Sequence, residues 1–238
     1  LQFSPEAIRM RKMVKAGFLG GPPIHMECMQ TFAHTDPDYG TALLGDANHW
    51  VRSLPGSLLH NLISHGLAKI VEFLPHGSPR VIADVFPSPY LKSISQDDIL
   101  DELRAVIRDG DVTAYFTLST RLGAACNQIC LYGEKASLIS DSTNRILIPI
   151  RRTGFKSYLR YFLAPRVYAR QYRRNSWLNI KQFLRSDFHM DYGTKVLIQS
   201  FYSAVKGEAP VPIPYKEILT TARIMDDIFA QIPGKANS

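Results

Sequence analysis

Along residues 54–74, "LPGSLLHNLISHGLAKIVEFL", apolar side chains recur every three or four positions with polar ones between them. Leu59, Leu62, Ile63, Gly66, Ile70 and Phe73 fall on one stripe of a helix, since residues three and four apart share a face. Asn61, His65, Lys69 and Glu72 fall on another, with His60 alongside. Pro55 and Gly56 break the preceding chain, Ser57 is expected as the N-cap, and Pro75 ends the run. The polar face has two readings. It looks at water, or it looks at a cavity and touches a ligand.

The rest of the pattern is mixed. A helix is predicted over 5–16, stopping at Gly17, and a strand over "PIHMECMQTF". The stretch "AHTDPDYGTALLGDANHW" is rich in turn formers and reads as a loop carrying His34, Asp46, Asn48 and His49. After the 57–74 helix come strand-like runs: "RVIADVF", "LRAVIRD", "VTAYFTLS", "ACNQICLYG", "ASLIS" and "RILIPI". Turns as short as Asp109-Gly110-Asp111 separate several of them, which favours hairpins over βαβ crossovers. In "VTAYFTLS", Thr113, Tyr115, Thr117 and Ser119 alternate with Ala114, Phe116 and Leu118, so one face is expected to pack and the other to stay open. Two helices, about 193–206 and 214–231, close the chain. The class is α+β: an open, predominantly antiparallel sheet with helices packed on one face, in one domain spanning 1–238.

With 238 residues, 45% hydrophobic and 21% charged, the chain can bury a sizeable core and is not disordered. No apolar run approaches the roughly eighteen residues of a membrane span, and no signal-peptide pattern is seen. The chain opens at Leu1 and not at a methionine, which reads as a piece of a longer protein. Cys126 and Cys130, four apart on an expected strand, stand roughly 13 Å apart at about 3.3 Å per residue, too far to bridge. Three cysteines without a framework suit a reducing cytoplasm. The seven histidines show no metal-ligand spacing, so no metal is expected.

Charge changes the picture in one place. From Arg151 to Arg185 there are ten basic residues and no acid, while the rest of the chain holds 18 basic and 21 acidic residues. Eight aromatic residues, Trp177 among them, interleave with these cations. Pro165 and Asn175-Ser176 are expected to divide the segment, within an insertion at about 151–192, into short amphipathic helices. Phe155, Tyr158, Leu159 and Phe162 share a face of the first, and Trp177, Ile180 and Leu184 a face of the last. Packing on the domain and contact with an anionic membrane surface are both open readings. Nucleic-acid binding is set aside because no base-reading motif accompanies the cations.

Four segments, in order, resemble the C-terminal half of the glucose–fructose oxidoreductase / inositol dehydrogenase (Gfo/Idh/MocA) family. "QFSPEAIRMRKMVKAGFLGGPPIHME" is similar to that family's helix, turn and strand. "LLHNLISHGLAKIVEFL" is similar to its "D-x-x-x-H" helix. "LYGEKASLISD" resembles its glycine-marked hairpin, with Lys135-Ala136 where glycine is usual. "FYSAVKGEAPVPIPYKEILTTARIMDDIF" resembles its closing helix pair. The resemblance covers nearly all of the chain except 151–192.

The resemblance implies a substrate-binding and oligomerisation domain of an NAD(P)-dependent oxidoreductase acting on a sugar, cyclitol or nucleotide sugar. It implies a homo-oligomer built through the sheet face, and a separate nucleotide-binding domain as partner. His65 matches the family's catalytic histidine, and imidazole suits proton abstraction because its ordinary pKa is about 6.5. Asn61 stands where aspartate is usual. It can orient a hydroxyl but cannot take up a proton or balance an imidazolium charge. Lys69 either reaches an anionic substrate group or stands in solvent, and Asn48, His49 and Trp50 either wall the sugar pocket or merely pack. No G-x-G-x-x-G is present, and "GFLGG" follows a helix where a phosphate cradle follows a strand. The family's lysine, in an "E-K-P" motif, has no counterpart. NAD or NADP is therefore expected in the full-length protein and not on this chain alone, whose isolated form is expected to be inactive. The alternative is a non-catalytic binding or scaffold module that keeps the fold.

Overall fold

Strands and helices follow closely the order that the apolar pattern predicts. The chain runs through α1 (Pro5–Lys15), β1 (His25–Thr31), α2 (Gly40–Gly45), a 3-10 turn (Trp50–Ser53) and α3 (Leu58–Val71). It continues with β2 (Arg80–Phe86), α4 (Pro89–Ser93), β3 (Glu102–Asp109), β4 (Val112–Ser119), β5 (Asn127–Tyr132), β6 (Ala136–Asp141) and β7 (Ile146–Arg151). Helices α5 (Ser157–Leu184), α6 (Tyr192–Val205) and α7 (Tyr215–Phe229) close it. The computed structural model describes residues 2–32, 40–152, 154–185 and 192–232, so the loop histidine His34 lies outside the described residues. The stretch expected as a loop before α3 is in part helical, at α2 and at the 3-10 turn. Two units are distinguished: Leu1–Ile24 with Gln128–Pro214, and His25–Asn127 with Tyr215–Ser238.

The second unit holds four strands, β2-β3-β4-β1. The β3–β4 pair is an antiparallel hairpin closed by a short turn, β2 pairs with β3 in antiparallel across a longer connection that holds α4, and β1 pairs with β4 in parallel. A parallel neighbour needs a long crossover, and the segment between β1 and β4 supplies one that includes α3. Met26, Cys28, Leu103, Ala105, Ile107, Ala114, Phe116 and Leu118 point to the buried face. Ile82, Val106 and Tyr115, in register across three strands, stand exposed on the other. Ser119, expected on the open face, is buried instead, where its hydroxyl donates to Glu102 Oε1 at 2.8 Å.

Helix α3 packs on β1, β4 and α7 through Leu58, Leu59, Ile63, Leu67 and Ile70, all buried. The helix lies close against the sheet at Gly66, where the Phe116 ring fills the space a Cβ would need. There Cys28 Sγ faces the Gly66 carbonyl at 3.7 Å, and Gln30 Nε2 donates to the Leu62 carbonyl at 3.3 Å. Ser57 does not cap the helix. Its φ is 48°, its side chain makes no capping bond, and its hydroxyl is buried without a partner among the described residues. The first-turn amides are met by turn carbonyls instead: Leu59 N donates to Gly56 O at 3.0 Å and His60 N to Ser57 O at 3.1 Å.

In the first unit β5, β6 and β7 form an antiparallel meander, with α1 packed on β6 and β7 and α5 beside β7. The 151–185 segment is not a set of short helices. It is one helix of 28 residues that runs through Pro165. Asn175 is no breaker either, because its amide does the work of a neighbouring strand. Asn175 Nδ2 donates to Leu147 O at 3.0 Å, and its Oδ1 accepts from Leu147 N at 3.1 Å. Gln171 Nε2 donates to Pro149 O at 2.8 Å and Asn179 Nδ2 to Asn144 O at 3.2 Å. Four residues of helix advance about 6 Å and two of strand about 6.6 Å, so Gln171 and Asn175 meet alternate strand positions, Pro149 and Leu147, and Asn179 reaches the turn before β7. The helix thereby satisfies an otherwise open strand edge.

Antiparallel pairing dominates the seven strands among the described residues, and helices cover one face of the four-stranded part, giving the α+β class that the pattern predicts. Among the described residues, no helix is long and apolar enough to cross a membrane.

Candidate functional site

The buried stripe of α3 fixes where its other face looks. With Leu62, Ile63 and Gly66 pressed onto the sheet, Asn61 and His65 are left exposed, one turn apart. Lys69, the next residue on that face, is not in solvent. It is buried, and its Nζ donates to Asn127 Oδ1 at 2.6 Å. A long apolar stem lets lysine lie along the core while its ammonium reaches the polar start of β5.

This arrangement acts on His65. The protein around the imidazole withdraws water from it, and the Lys69 ammonium adds repulsion, so its pKa lies below the ordinary 6.5. The ring is therefore neutral at neutral pH and able to accept a proton. Asn61 contributes no charge to oppose this, whereas an aspartate there would favour the imidazolium.

His60 belongs to the packing. Its ring stacks on Phe229 at 5.1 Å and 13°, and its Nδ1 is buried with no partner among the described residues. Of the three residues before α3, His49 caps the 3-10 turn, its Nδ1 accepting from Val51 N at 3.4 Å, and its ring stacks on Trp50 at 5.9 Å. Trp50 is exposed. Asn48 is exposed in the loop, its backbone amide donating to Asp46 Oδ1 at 2.8 Å. The turn is anchored by Arg52, which bonds the Leu43 carbonyl and pairs with Asp98 at 2.8 Å. The structure thus gathers Asn61, His65 and Lys69 on one helix face, and His49 with Trp50 on the turn packed against that helix. Asn127 was not foreseen as a partner, and a polar residue opening a strand is the only trace of it in the sequence.

No sequence-family model and no curated protein matches the chain. Solved structures do. The WlbA dehydrogenase from Bordetella pertussis, in complex with NADH and UDP-GlcNAcA, superposes with a TM-score of 0.63 at 11% identity over 96% of this chain. UDP-N-acetylglucosamine 3-dehydrogenase GnnA from Acidithiobacillus ferrooxidans does so with 0.56 at 12% over 96%. An oxidoreductase from Agrobacterium radiobacter, in complex with NAD+, L-tartaric acid and magnesium, gives 0.60 at 10% over 95%. In each case the chain spans 59% of the matched protein's length. The chain has the fold of part of the Gfo/Idh/MocA-type oxidoreductases, as the sequence resemblance implies.

Proposed function

We propose that this chain is the substrate-binding and oligomerisation part of an NAD(P)-dependent oxidoreductase acting on a sugar, cyclitol or nucleotide sugar. The observation that carries the reading is His65: exposed on α3 and kept neutral by its surroundings, in a fold shared with dehydrogenases. In this reading His65 accepts the proton leaving a substrate hydroxyl as its carbon is oxidised to a carbonyl. Asn61 hydrogen-bonds that hydroxyl and orients it. Lys69 acts through His65, adding its repulsion to the burial that mainly lowers the imidazole's pKa. The exposed Trp50 face and Asn48 amide border the sugar, with His49 fixing the Trp50 ring.

The residues present do not fit a dinucleotide. The glycines at 17 and 20, with φ of 75° and 93°, join a helix to a strand, the reverse of the strand–turn–helix order that cradles a pyrophosphate. The cofactor in this reading belongs to a separate nucleotide-binding domain, and the working compartment is the cytoplasm. A second copy of the chain would meet the exposed row Ile82, Val106 and Tyr115, which light scattering tests. The outward cations and aromatics of α5 would meet an anionic membrane surface, which salt-dependent co-sedimentation with anionic vesicles tests.

A non-catalytic module on the same fold is the second reading, and Asn61 in place of an acid favours it. The deciding experiment incubates the protein carrying its nucleotide-binding domain with NAD+ or NADP+ and a panel of cyclitols, hexoses and nucleotide sugars. Reduction of the nicotinamide by one class supports the oxidoreductase. Tight binding of one class with no reduction supports the module.

A further inference from the structure

The first unit contains a cleft of about 900 Å³, within the usual range for small-molecule sites, and none of the α3 residues lines it. It is bordered by the end of α1, the β5–β6 turn, the end of β7 and the inner side of α5. Lys135, Arg151, Arg152 and Arg160 line it, against one carboxylate, Glu134. Among the described residues none of these four cations makes an ion pair.

The walls are held in place. Arg151 lies over the Phe18 ring at 4.5 Å, which fixes its guanidinium by a cation–π contact. Lys135 N donates to Leu19 O at 2.9 Å, and Gly133 leaves room for this approach, since a Cβ there would stand 2.6 Å from the same carbonyl oxygen. The stem of Lys135 rests against Gly20, which at φ 93° has no side chain to oppose it. Gln171 is fixed by its bond to Pro149 O at 2.8 Å, which leaves its Oε1 buried without a partner among the described residues. A buried amide oxygen without a donor costs free energy until one arrives.

We infer that this cleft binds an organic phosphate. The four cations take a phosphoester or diphosphate, and a ligand hydroxyl or N–H donates to Gln171 Oε1. Tyr168 and Val167 line the same cleft and offer apolar contact to the rest of such a molecule. Lys135, and the α5 segment that supplies Arg160 and Gln171, lie where the sequence departs from the family pattern or is not covered by it. The site therefore belongs to this chain's own elaborations, and it stands independently of the function proposed for α3.

A lipid headgroup and a soluble metabolite carry the same phosphoester, and the probes separate them. Binding of a nucleoside 5′-diphosphate, a hexose phosphate, inorganic phosphate and phosphatidic acid vesicles is measured by calorimetry at low salt. The proteins are wild type, Lys135→Gln, Arg160→Gln and, as a control from the same helix outside the cleft, Arg173→Gln. The expected result is binding of an organic phosphate at least about tenfold tighter than inorganic phosphate, weakened about tenfold or more by Lys135→Gln and by Arg160→Gln. Arg173→Gln is expected to bind like wild type. A response to vesicles and not to soluble phosphates, weakened by Lys135→Gln and Arg160→Gln but not by Arg173→Gln, would support the site and assign it to a lipid headgroup; a vesicle response that the cleft variants leave unchanged would overturn it. Equal weakening by all three variants would mean a diffuse charge effect and overturn the proposal, as would equal affinity for inorganic phosphate or no binding at low salt. All three substitutions fall on exposed side chains, so folding is expected to survive, and circular dichroism confirms it.

Discussion

The Lys69 ammonium lies buried 2.6 Å from Asn127 Oδ1, one helical turn beyond the exposed imidazole of His65. A fixed positive charge at that position disfavours the imidazolium, in the same direction as the burial around the ring. The Lys69→Met variant should therefore raise the His65 pKa toward 6.5, with burial still holding it below. Histidine Cε1–H chemical shifts followed against pH in both proteins measure this. An unchanged titration would show that Lys69 does not act on His65. The sign for folding follows from the same shift. The folded state binds this proton more weakly than the unfolded chain, so stability is unaffected above pH 6.5 and declines as pH falls through the folded pKa.

Gly66 sets the height of α3 above the sheet, and with it the position of its neighbour His65. A methyl group there would meet the Phe116 ring and Gln30 Oε1, 2.9 Å from the latter. Gly66→Ala should destabilise the fold by about 1–3 kcal/mol, because overpacking outweighs the gain in helix propensity. Urea denaturation measures it. A variant more stable than wild type would mean that α3 does not press on Phe116.

The amides of α5 give a second stability test. Asn175→Ala removes both bonds to Leu147 and leaves that buried residue's N–H and C=O without partners. The expected cost is about 1–3 kcal/mol, with faster hydrogen exchange at the Leu147 amide. Unchanged exchange there would show that the helix does not guard this edge.

The sheet was legible because period-two alternation in β4 and short turns such as Asp109-Gly110-Asp111 specify hairpins locally. The parallel β1–β4 pair was not, because no local signal reports which strand a distant one will join. Ser57 looked like a cap by residue type, yet a left-handed backbone turns its hydroxyl away. Pro165 and Asn175 looked like breakers by propensity, and packing against β7 overrides that preference. Gln171, Asn175 and Asn179 recur every four residues, and this spacing was a readable signal of an amide-bearing face. At the candidate site, periodicity placed Asn61, His65 and Lys69 on one face. Whether Lys69 stood in water depended on Asn127, fifty-eight residues further along the chain.

Turnover of His65→Ala beside wild type, in the protein joined to the nucleotide-binding domain proposed for it and with the polyol substrate that reduces the nicotinamide fastest, bears most directly on the proton-abstraction account. Rates are measured from below to above pH 6.5. The predicted result is a fall of about a hundredfold or more in turnover, with unchanged circular dichroism. Wild type should lose activity only as pH drops below 6.5, where His65 takes up a proton, and the variant should lack that acid limb. Wild-type turnover in His65→Ala, with the same acid limb, would contradict the assignment of His65 as the proton acceptor.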